Sequence, residues 1–246
     1  MRYLILGDIH ANWEALEAVL ADAEGSYDRI LCTGDLVGYG AEPAKVVAWA
    51  QAQLAESVRG NHDRVCCGLE DAGWFNPTAQ SALLWTRNAL DASGLAYLGR
   101  LPRGPLTVDG FGLMHGSPLD EDEYMVSSYN LRQALPYLEN AVSFAGHTHV
   151  QGGFLWPPNG DSQIPQTPTN ASECLFKIPA NCFCVCNPGS VGQPRDGDAR
   201  AAYLLYGPED RVAAYRRVVY DIATAQRKIL DAGLPARLAS RLGVGQ

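Results

Sequence analysis

The five histidines of this chain all lie in short polar motifs that directly follow apolar runs. The motifs are GDIH, GNHD, MHG and GHTH, and they contain His10, His62, His115, His147 and His149. Unperturbed imidazole titrates near neutral pH and is the commonest metal ligand in proteins. Because every histidine lies in such a motif, we predict a metal site that is assembled from segments distant in the sequence.

Carboxylate and amide oxygens occur in motifs of the same kind. Asp8 precedes His10 by two residues, so both side chains can point the same way where a strand ends. Asp35, in TGDLVGYG, can bridge two cations by giving one oxygen to each, and Asn61 offers a neutral oxygen. Mixed nitrogen and oxygen donors favour a transition metal over calcium, which prefers all-oxygen shells. The candidate ligands can surround two metal ions but would overfill one tetrahedral site: Asp8, His10, Asp35, Asn61, His115, His147 and His149.

Each motif follows a run that is typical of a buried strand. The runs are YLIL, RILC, ESV, FGLM, VSFA and CFCVC, and each ends in a polar or glycine-rich segment. Because ligands in α/β sheets gather beyond the carboxyl ends of strands, these ends predict one common site. Helical spacing between the first runs, and closely spaced strands such as AAYLLYG and RVAAYRRVVYD later, predict an α/β protein. We expect a mixed sheet or two packed sheets, with helices outside.

The motifs spread from residue 8 to beyond residue 149 and must converge, so residues 1–246 are interpreted as one domain. Residues 64–105 are predicted to form a helical insertion between two motif strands. Its Trp74, Phe75 and Trp85 could line a substrate cleft, but aromatic residues at helical spacing favour the core. Residues 156–180, rich in Pro, Asn, Ser and Thr, predict a long loop or irregular hairpin that either shapes substrate access or is a solvated connection.

Composition excludes some classes of partner. The formal net charge of -8 argues against an extended nucleic-acid-binding face, since phosphate backbones are held by clustered Lys and Arg. A phosphate ligand would need local positive charge, which bound divalent cations supply. The N-terminal apolar stretch is too short for a signal peptide or a membrane span, so we expect a cytoplasmic protein with no membrane partner.

The seven cysteines predict no disulfide framework, because their number is odd and no export signal is visible. Cys182, Cys184 and Cys186 alternate along a predicted strand and therefore share one face. A soft-metal or redox site is one interpretation. Their spacing matches no common zinc pattern, so buried small hydrophobes are the favoured one.

The ordered set GDIHAN, GDLVGYG, GNHD, MHG and GHTH resembles the calcineurin-like metallophosphoesterase superfamily over roughly residues 1–220. The closing NPGS and GQPRDGDARAAY resemble its smaller bacterial and archaeal phosphodiesterase-like members. The resemblance implies a two-layer β-sandwich flanked by helices, with a dinuclear centre at one rim. It also implies that Asp8, His10 and His149 hold the first metal, that Asp35 bridges, and that Asn61, His115 and His147 hold the second.

The resemblance further implies a reaction. Two Mn²⁺, Fe²⁺/Fe³⁺ or Zn²⁺ ions would generate a bridging hydroxide that attacks phosphorus. His62 would protonate the leaving group, with Asp63 as its orienting partner. Arg59, Arg195 and Arg200 are candidates for neutralising phosphate charge, and Arg195 is favoured because it lies in a glycine- and proline-rich turn after a motif strand.

Departures from the family pattern reduce the number of substrate classes that the resemblance allows. Leu36 and Val37 follow Asp35, where the phosphoprotein phosphatases and dinucleoside tetraphosphatases of the family have Arg and Gly. A phosphodiesterase acting on a small-molecule phosphate ester is therefore the favoured function, and those two phosphatase activities are the runner-up. A binding or scaffold protein on the same fold is a second alternative, against which the presence of His62 argues. A mononuclear amide hydrolase is a third, and the sequence does not specify the oligomeric state.

Overall fold

The first strand shows how the sequence builds a sheet that is buried on both faces. In a computed structural model, which describes residues 1–158, 160 and 162–246, Tyr3–Leu6 is a strand with all four residues buried. Tyr3 and Ile5 join one hydrophobic cluster, whereas Leu4 and Leu6 join another. Successive side chains of a strand point to opposite faces, so this unbroken apolar run contributes to two layers of core.

The described residues form two mixed sheets of six strands each. In chain order the strands are β1 (Tyr3–Leu6), β2 (Arg29–Cys32), β3 (Leu54–Ser57), β4 (Leu106–Val108), β5 (Phe111–Leu113), β6 (Val142–Phe144), β7 (Gly152–Trp156), β8 (Ser162–Ile164), β9 (Glu173–Lys177), β10 (Phe183–Asn187), β11 (Ala201–Gly207) and β12 (Val212–Val218). One sheet has the order β3-β2-β1-β11-β12-β9 and the other the order β4-β5-β6-β10-β7-β8.

Parallel pairing brings the polar motifs to a common edge. Strands β1, β2 and β3 are mutually parallel in the first sheet, and β5, β6 and β10 are parallel in the second. The carboxyl ends of parallel strands meet at the same sheet edge. The segments that follow these six strands include every predicted metal ligand, and they form the rim on which the site is built.

Helices cover the outer faces of both sheets. They are α1 (Trp13–Ala23), α2 (Pro43–Gln53), α3 (Asn61–Cys66), α4 (Pro77–Ala89), α5 (Ala92–Arg100), α6 (Ser128–Ala134), α7 (Ile222–Asp231) and α8 (Ala236–Leu242), with a 3₁₀ turn at Leu135–Tyr137. One hydrophobic cluster lies between the two sheets, a second lies between the first sheet and most of the helices, and a third lies under α6. The predicted α/β fold class, a two-layer mixed sandwich with helices outside, is confirmed.

The segment 156–180 was predicted to be a long loop or irregular hairpin, and the structure shows more regular strand pairing than that. It contains β8, which pairs with β7 in a hairpin, and β9, which pairs with β12 at the edge of the first sheet. Asn159 and Asp161 lie outside the described residues. Edge strands are half-solvated and carry polar residues, which explains why their apolar pattern is weak. The predicted insertion, by contrast, contains helices α4 and α5.

The three alternating cysteines are buried small hydrophobes, as favoured from their spacing. Cys182, Cys184 and Cys186 all join the cluster between the two sheets, and each is a free thiol. Burial raises the pKa of the Cys182 thiol, which keeps it protonated and unreactive at neutral pH. Among the described residues, no helix is both long enough and apolar enough to cross a bilayer.

Candidate metal centre

Four side chains from three separate segments converge beyond the ends of β1, β2 and β6. Asp8, His10, Asp35 and His149 each place one donor atom within 4.8 Å of the others, and all four are buried. Asp8 and His10 come from the loop after β1, Asp35 from the loop after β2, and His149 from the loop after β6. The local motifs are therefore brought together only by the sheet.

A second group of donors shares Asp35 with the first. Asp35, His115 and His147 are mutually within 4.8 Å and buried, and His115 follows β5. Asn61 lies against this group, because its Oδ1 is 3.2 Å from His115 Nε2. Asp35 is the residue that belongs to both groups, and its two carboxylate oxygens allow it to serve both. The structure thus brings together all seven residues predicted as ligands, which we call the metal rim.

Backbone carbonyls orient each of the four ligand histidines. The ring N–H groups donate in four hydrogen bonds: His10 Nδ1 to Val37 O at 3.0 Å, His115 Nδ1 to Thr33 O at 2.9 Å, His149 Nδ1 to Gln193 O at 2.6 Å, and His147 Nε2 to Asp122 O at 3.0 Å. A carbonyl oxygen can only accept, so each bond assigns the tautomer. The other nitrogen of each ring then carries a lone pair, as a metal ligand requires.

The distances between donors show that the site fits a cation. His10 Nε2 and His149 Nε2 are 3.0 Å apart, and since both rings carry their proton on Nδ1, two lone pairs face each other. His10 Nε2 is also 3.5 Å from Asp35 Oδ2, and His149 Nε2 is 3.5 Å from Asp8 Oδ1. Such an assembly of acceptors is repulsive without a positive charge among them. Its nitrogen and oxygen donors suit a divalent transition metal.

Backbone strain is concentrated in the same residues. Five of the seven rim residues have positive φ: Asp8 (52°), His10 (50°), Asp35 (56°), His147 (68°) and His149 (59°). The left-handed region is uncommon for residues other than glycine, and such strain clusters at functional sites. The loops are held in this form by bonds such as His147 N to Asp8 Oδ1 at 3.0 Å and His62 N to Asp35 Oδ1 at 2.9 Å.

Burial sets the protonation of the metal rim. It lowers the pKa of His10 and of His149 well below the ordinary value, and lowers the pKa of His115 to about 4, so these rings are neutral. Burial also raises the pKa of Asp8 to about 7 and raises the pKa of Asp35. A bound cation reverses the effect on the carboxyl groups, because it favours their ionised form.

His62 lies beside the metal rim at the start of α3. Its ring packs against Tyr39 with centroids 4.4 Å apart and against Phe75 at 5.0 Å. Its Nδ1 is buried and has no hydrogen-bond partner among the described residues. Burial, followed by the charge of Arg195, lowers the pKa of His62 well below its usual range. His62 also lines the adjacent pocket, so its ring can meet a ligand there although its Nδ1 is packed against Gly38.

Asp63 does not orient His62, which corrects the sequence expectation. Its Oδ2 accepts from Gly60 N at 3.0 Å and its Oδ1 from Val37 N at 3.2 Å. Neighbouring residues of a helix point about 100° apart, so Asp63 faces away from the ring that precedes it. It instead joins the start of α3 to the loop whose Val37 carbonyl accepts from His10. Asp63 is thus a positioning residue for the metal rim.

Of the three candidate arginines, only Arg195 reaches the pocket. Its Nη2 donates to Gln193 Oε1 at 3.0 Å, and its Nε is buried without a partner in the described part of the chain. Arg59 makes a bidentate pair with Glu121, at 2.9 and 2.8 Å, and Arg200 is held by Asp198. Both of these guanidinium groups already have carboxylate partners and lie outside the pocket lining.

A pocket of about 480 Å³ opens over the metal rim. Apart from the rim, His62 and Arg195, the lining includes a set of large side chains that we call the outer wall: Trp74, Phe75, Tyr124, Arg237 and Arg241. The sequence had favoured the core for Trp74 and Phe75. Phe75 is buried in the core as expected and also lines the pocket, and Trp85 packs against the core. Trp74 differs, because it is 51% exposed.

Comparison with known proteins agrees with this geometry. Residues 1–210 match the model of the calcineurin-like phosphoesterase superfamily domain. The chain belongs to this superfamily. Membership implies a phosphoester hydrolase, and the cluster of histidines and aspartates described above fits the divalent-metal site of such a domain.

Relatives of the phosphoesterase extend the match over the full chain. An uncharacterized protein of Methanocaldococcus jannaschii, MJ0912, is 32% identical over 98% of this chain and 97% of its own length. The crystal structure of a metallophosphoesterase from Sphaerobacter thermophilus is 35% identical, with a TM-score of 0.86 over 100% of this chain and 99% of that one. The hypothetical protein PH1004 of Pyrococcus horikoshii shares the fold, with a TM-score of 0.79 at 18% identity over 100% and 98% of the two chains.

Part of the pocket lies beyond the matched phosphoesterase domain. Helix α8 supplies Arg237 and Arg241, and no prediction from the sequence had covered this helix. A signal was present: Asp221 caps α7 by accepting from Thr224 N at 3.0 Å, and apolar residues follow at helical spacing. Nothing in that pattern shows that α8 ends over the metal rim, because this depends on how α7 and α8 pack.

Proposed function

We propose that this phosphoesterase is a dinuclear enzyme that hydrolyses phosphodiesters of small molecules. The observation that carries the proposal is the sharing of Asp35 by two donor groups, each of which is complete enough to hold one ion. Asp8, His10 and His149 would hold the first ion with Asp35, and Asn61, His115 and His147 the second. Mn²⁺, Fe²⁺/Fe³⁺ and Zn²⁺ all accept these nitrogen and oxygen donors.

When bound in such a pair, the cations activate water for attack on phosphorus and neutralise phosphoryl oxygens. The protein contributes a dry, preorganised environment for this chemistry. The seven rim residues are all less than a tenth exposed, and their loops are cross-linked by the bonds from Asp8 and Asp35 to backbone N–H groups. Groups that are fixed before the substrate arrives need no reorganisation during the reaction.

His62 is proposed to protonate the leaving alkoxide. Its position on the pocket lining, beside the metal rim, supports this role. In the substrate-free chain burial and Arg195 keep the ring neutral. A phosphate anion in the pocket offsets the charge of Arg195 and so removes one of the causes that lower the pKa of His62. Protonation matters most for alkyl esters, whose leaving groups are poor.

Arg195 is proposed to bind a non-bridging phosphoryl oxygen. Its backbone N–H donates to His149 O at 3.2 Å, which fixes the guanidinium-bearing turn to a metal-rim residue. The absence of an Arg after Asp35 supports phosphodiesters over phosphoproteins, because the chain lacks a guanidinium at the position that the related phosphatases use.

The test is a comparison of rates with metal content measured on the same sample. The Mn²⁺-loaded protein is assayed on bis-p-nitrophenyl phosphate, p-nitrophenyl phosphate and a 2′,3′-cyclic nucleotide. The proposal expects the diesters to be hydrolysed with higher kcat/KM than the monoester. Hydrolysis of none of them would overturn the enzymatic function, and a clear monoester preference would overturn the diester assignment.

A further inference from the structure

The pocket as a whole carries more positive charge than one scissile phosphate requires. Arg195, Arg237 and Arg241 all line the pocket, in a chain whose formal net charge is -8. Within the described residues, Arg195 and Arg237 have no carboxylate partner, whereas the Nε of Arg241 donates to an oxygen of the last residue, Gln246. Burial, and after it the nearby charge of Arg195, lowers the pKa of Arg241, with Arg237 acting in the same direction. Three like charges that face one pocket with no Asp or Glu partner favour an anionic ligand.

These charges are distributed over two different parts of the chain. Arg195 lies in the turn that also supplies Gln193 O to His149, so it belongs next to the metal rim. Arg237 and Arg241 are one turn apart on α8, so they lie on the same face of that helix. Arg237 is exposed and free to reach a ligand. The pocket therefore receives one guanidinium from the turn next to the metal rim and two more from α8, and Arg241 is close enough to Arg195 for the charge of Arg195 to lower its pKa.

An aromatic surface extends outward from His62. The His62 ring contacts Phe75 with centroids 5.0 Å apart, and Phe75 stacks on Trp74 at 4.0 Å with an interplanar angle of 31°. Trp74 is half-exposed, although a side chain of this size is usually well buried. Since His62 faces the leaving group in the proposed reaction, Trp74 lies on the leaving-group side. An exposed indole in a pocket is suited to stacking against a planar ring.

We propose, on the basis of the proposed function, that the substrate is a phosphodiester of nucleotide type that carries a second phosphate group. Arg237 and Arg241 of α8 bind this second phosphate, and Trp74 stacks on the base. The subsite is a property of this chain's C-terminal helix, which lies outside the matched family domain of residues 1–210. It adds substrate selection to a metal rim that by itself recognises only the scissile phosphate.

Two dinucleotides that differ by a single phosphate test this subsite. The Mn²⁺-loaded protein is assayed on thymidylyl-(3′→5′)-thymidine and on the same compound with a 5′-phosphate. We expect kcat/KM to be about ten-fold higher for the phosphorylated compound, which is the effect of one charge-assisted contact. The Arg237→Gln/Arg241→Gln double variant should reduce this ratio to about one. Arg227→Gln is the matched control, because Arg227 is an exposed arginine of α7 outside the pocket lining, and it should retain the wild-type ratio.

A binding measurement separates failure of the subsite from failure of the enzymatic function. Titration calorimetry on the Mn²⁺-loaded protein, whose rim can hold the first phosphate, compares thymidine 3′,5′-bisphosphate with thymidine 5′-monophosphate. We expect about ten-fold tighter binding of the bisphosphate, lost in the double variant and kept in Arg227→Gln. Trp74→Leu should weaken both nucleotides equally. If wild-type protein binds the two nucleotides equally, or if the double variant keeps the preference, the subsite is wrong even where bis-p-nitrophenyl phosphate is hydrolysed.

Discussion

The metal rim and the outer wall face the same pocket but are built in opposite ways. Rim residues are buried, five of the seven lie in left-handed backbone conformations, and the four histidines are oriented by backbone carbonyls. The outer wall consists of long side chains on α8, in the helical insertion and, for Tyr124, in the segment between β5 and α6, and its Trp74 is half-exposed. Substitutions in the rim disturb the backbone of the loops that hold it. Substitutions in the outer wall change a side chain without altering the conformation of those loops. This difference assigns the shared chemistry to the rim and substrate selection to the wall.

The largest expected effect is at the shared ligand. Asp35→Asn removes the charge that both donor groups use, and kcat on bis-p-nitrophenyl phosphate should fall at least ~10³-fold, since the cations contribute several kcal/mol and each 1.4 kcal/mol or so is ten-fold. Asp231→Asn, at an exposed carboxylate of α7, is the control and should change kcat by less than two-fold. Comparable activity of Asp35→Asn and wild type would contradict the rim's role.

Substitution of Asp63 tests how far metal binding depends on a residue that holds the rim loops but is not itself a predicted metal ligand. Asp63→Asn weakens the clamp on Gly60 N and Val37 N, and with it the carbonyl that orients His10. We expect metal affinity to fall roughly 10–100-fold, as for other outer partners of metal ligands. Competition with a chelator measures this affinity. An affinity equal to that of wild type would mean that the loop is held by other contacts.

Two glycines separate backbone strain from a clash at His62. Gly38 has φ +88°, and a Cβ there would lie 2.3 Å from His62 Nδ1. Gly68 has φ +84°, but its nearest neighbour would be Arg87 Nη2 at 3.8 Å. Both Gly→Ala variants should lose ~1–2 kcal/mol of unfolding free energy through backbone strain. Only Gly38→Ala should also lose activity on alkyl diesters, so an equal loss in the two variants would argue against the proton-donor position of His62.

The metal-free rim should be destabilised at alkaline pH by Asp8. Its folded pKa is raised to about 7 by burial, so its contribution to stability is present below the unfolded pKa near 4 and is lost as pH rises through 7. Asp8→Asn mimics the protonated form. In EDTA, the Tm of this variant should exceed that of wild type most at pH 8, and the difference should shrink as pH falls from 7 to 4. A difference that grows toward acid pH would reverse the sign of this argument.

The smallest effect on stability is expected in the outer wall. Trp74→Ala should change the free energy of unfolding by about 0.5 kcal/mol or less, because the side chain is 51% exposed. It should raise KM for nucleotide diesters more than it lowers kcat. Chemical denaturation and steady-state kinetics on the same preparation measure the two quantities. A large loss of stability would place Trp74 in the core, as the sequence pattern suggested.

The rim could be predicted from the sequence because its signals are local. Asp8 and His10 lie two residues apart directly after an apolar strand, and the parallel sheet then brings such strand ends together. Asp63 was misassigned because adjacency in the sequence is not contact in a helix. Strand β9 was missed because it is an edge strand with little apolar pattern, and its Leu175 is exposed. Arg237 and Arg241 could not be placed, since the docking of α8 over the pocket depends on tertiary packing.

Metal content is the most direct test of the central claim that two ions share Asp35. His149 contributes to one donor group and His115 to the other. After loading with Mn²⁺ and removal of free metal, elemental analysis should give two ions per chain for wild type and one each for His149→Ala and His115→Ala. Asp35→Asn should lower the occupancy of both sites. One ion per chain in wild type, lost equally in both histidine variants, would contradict the dinuclear account.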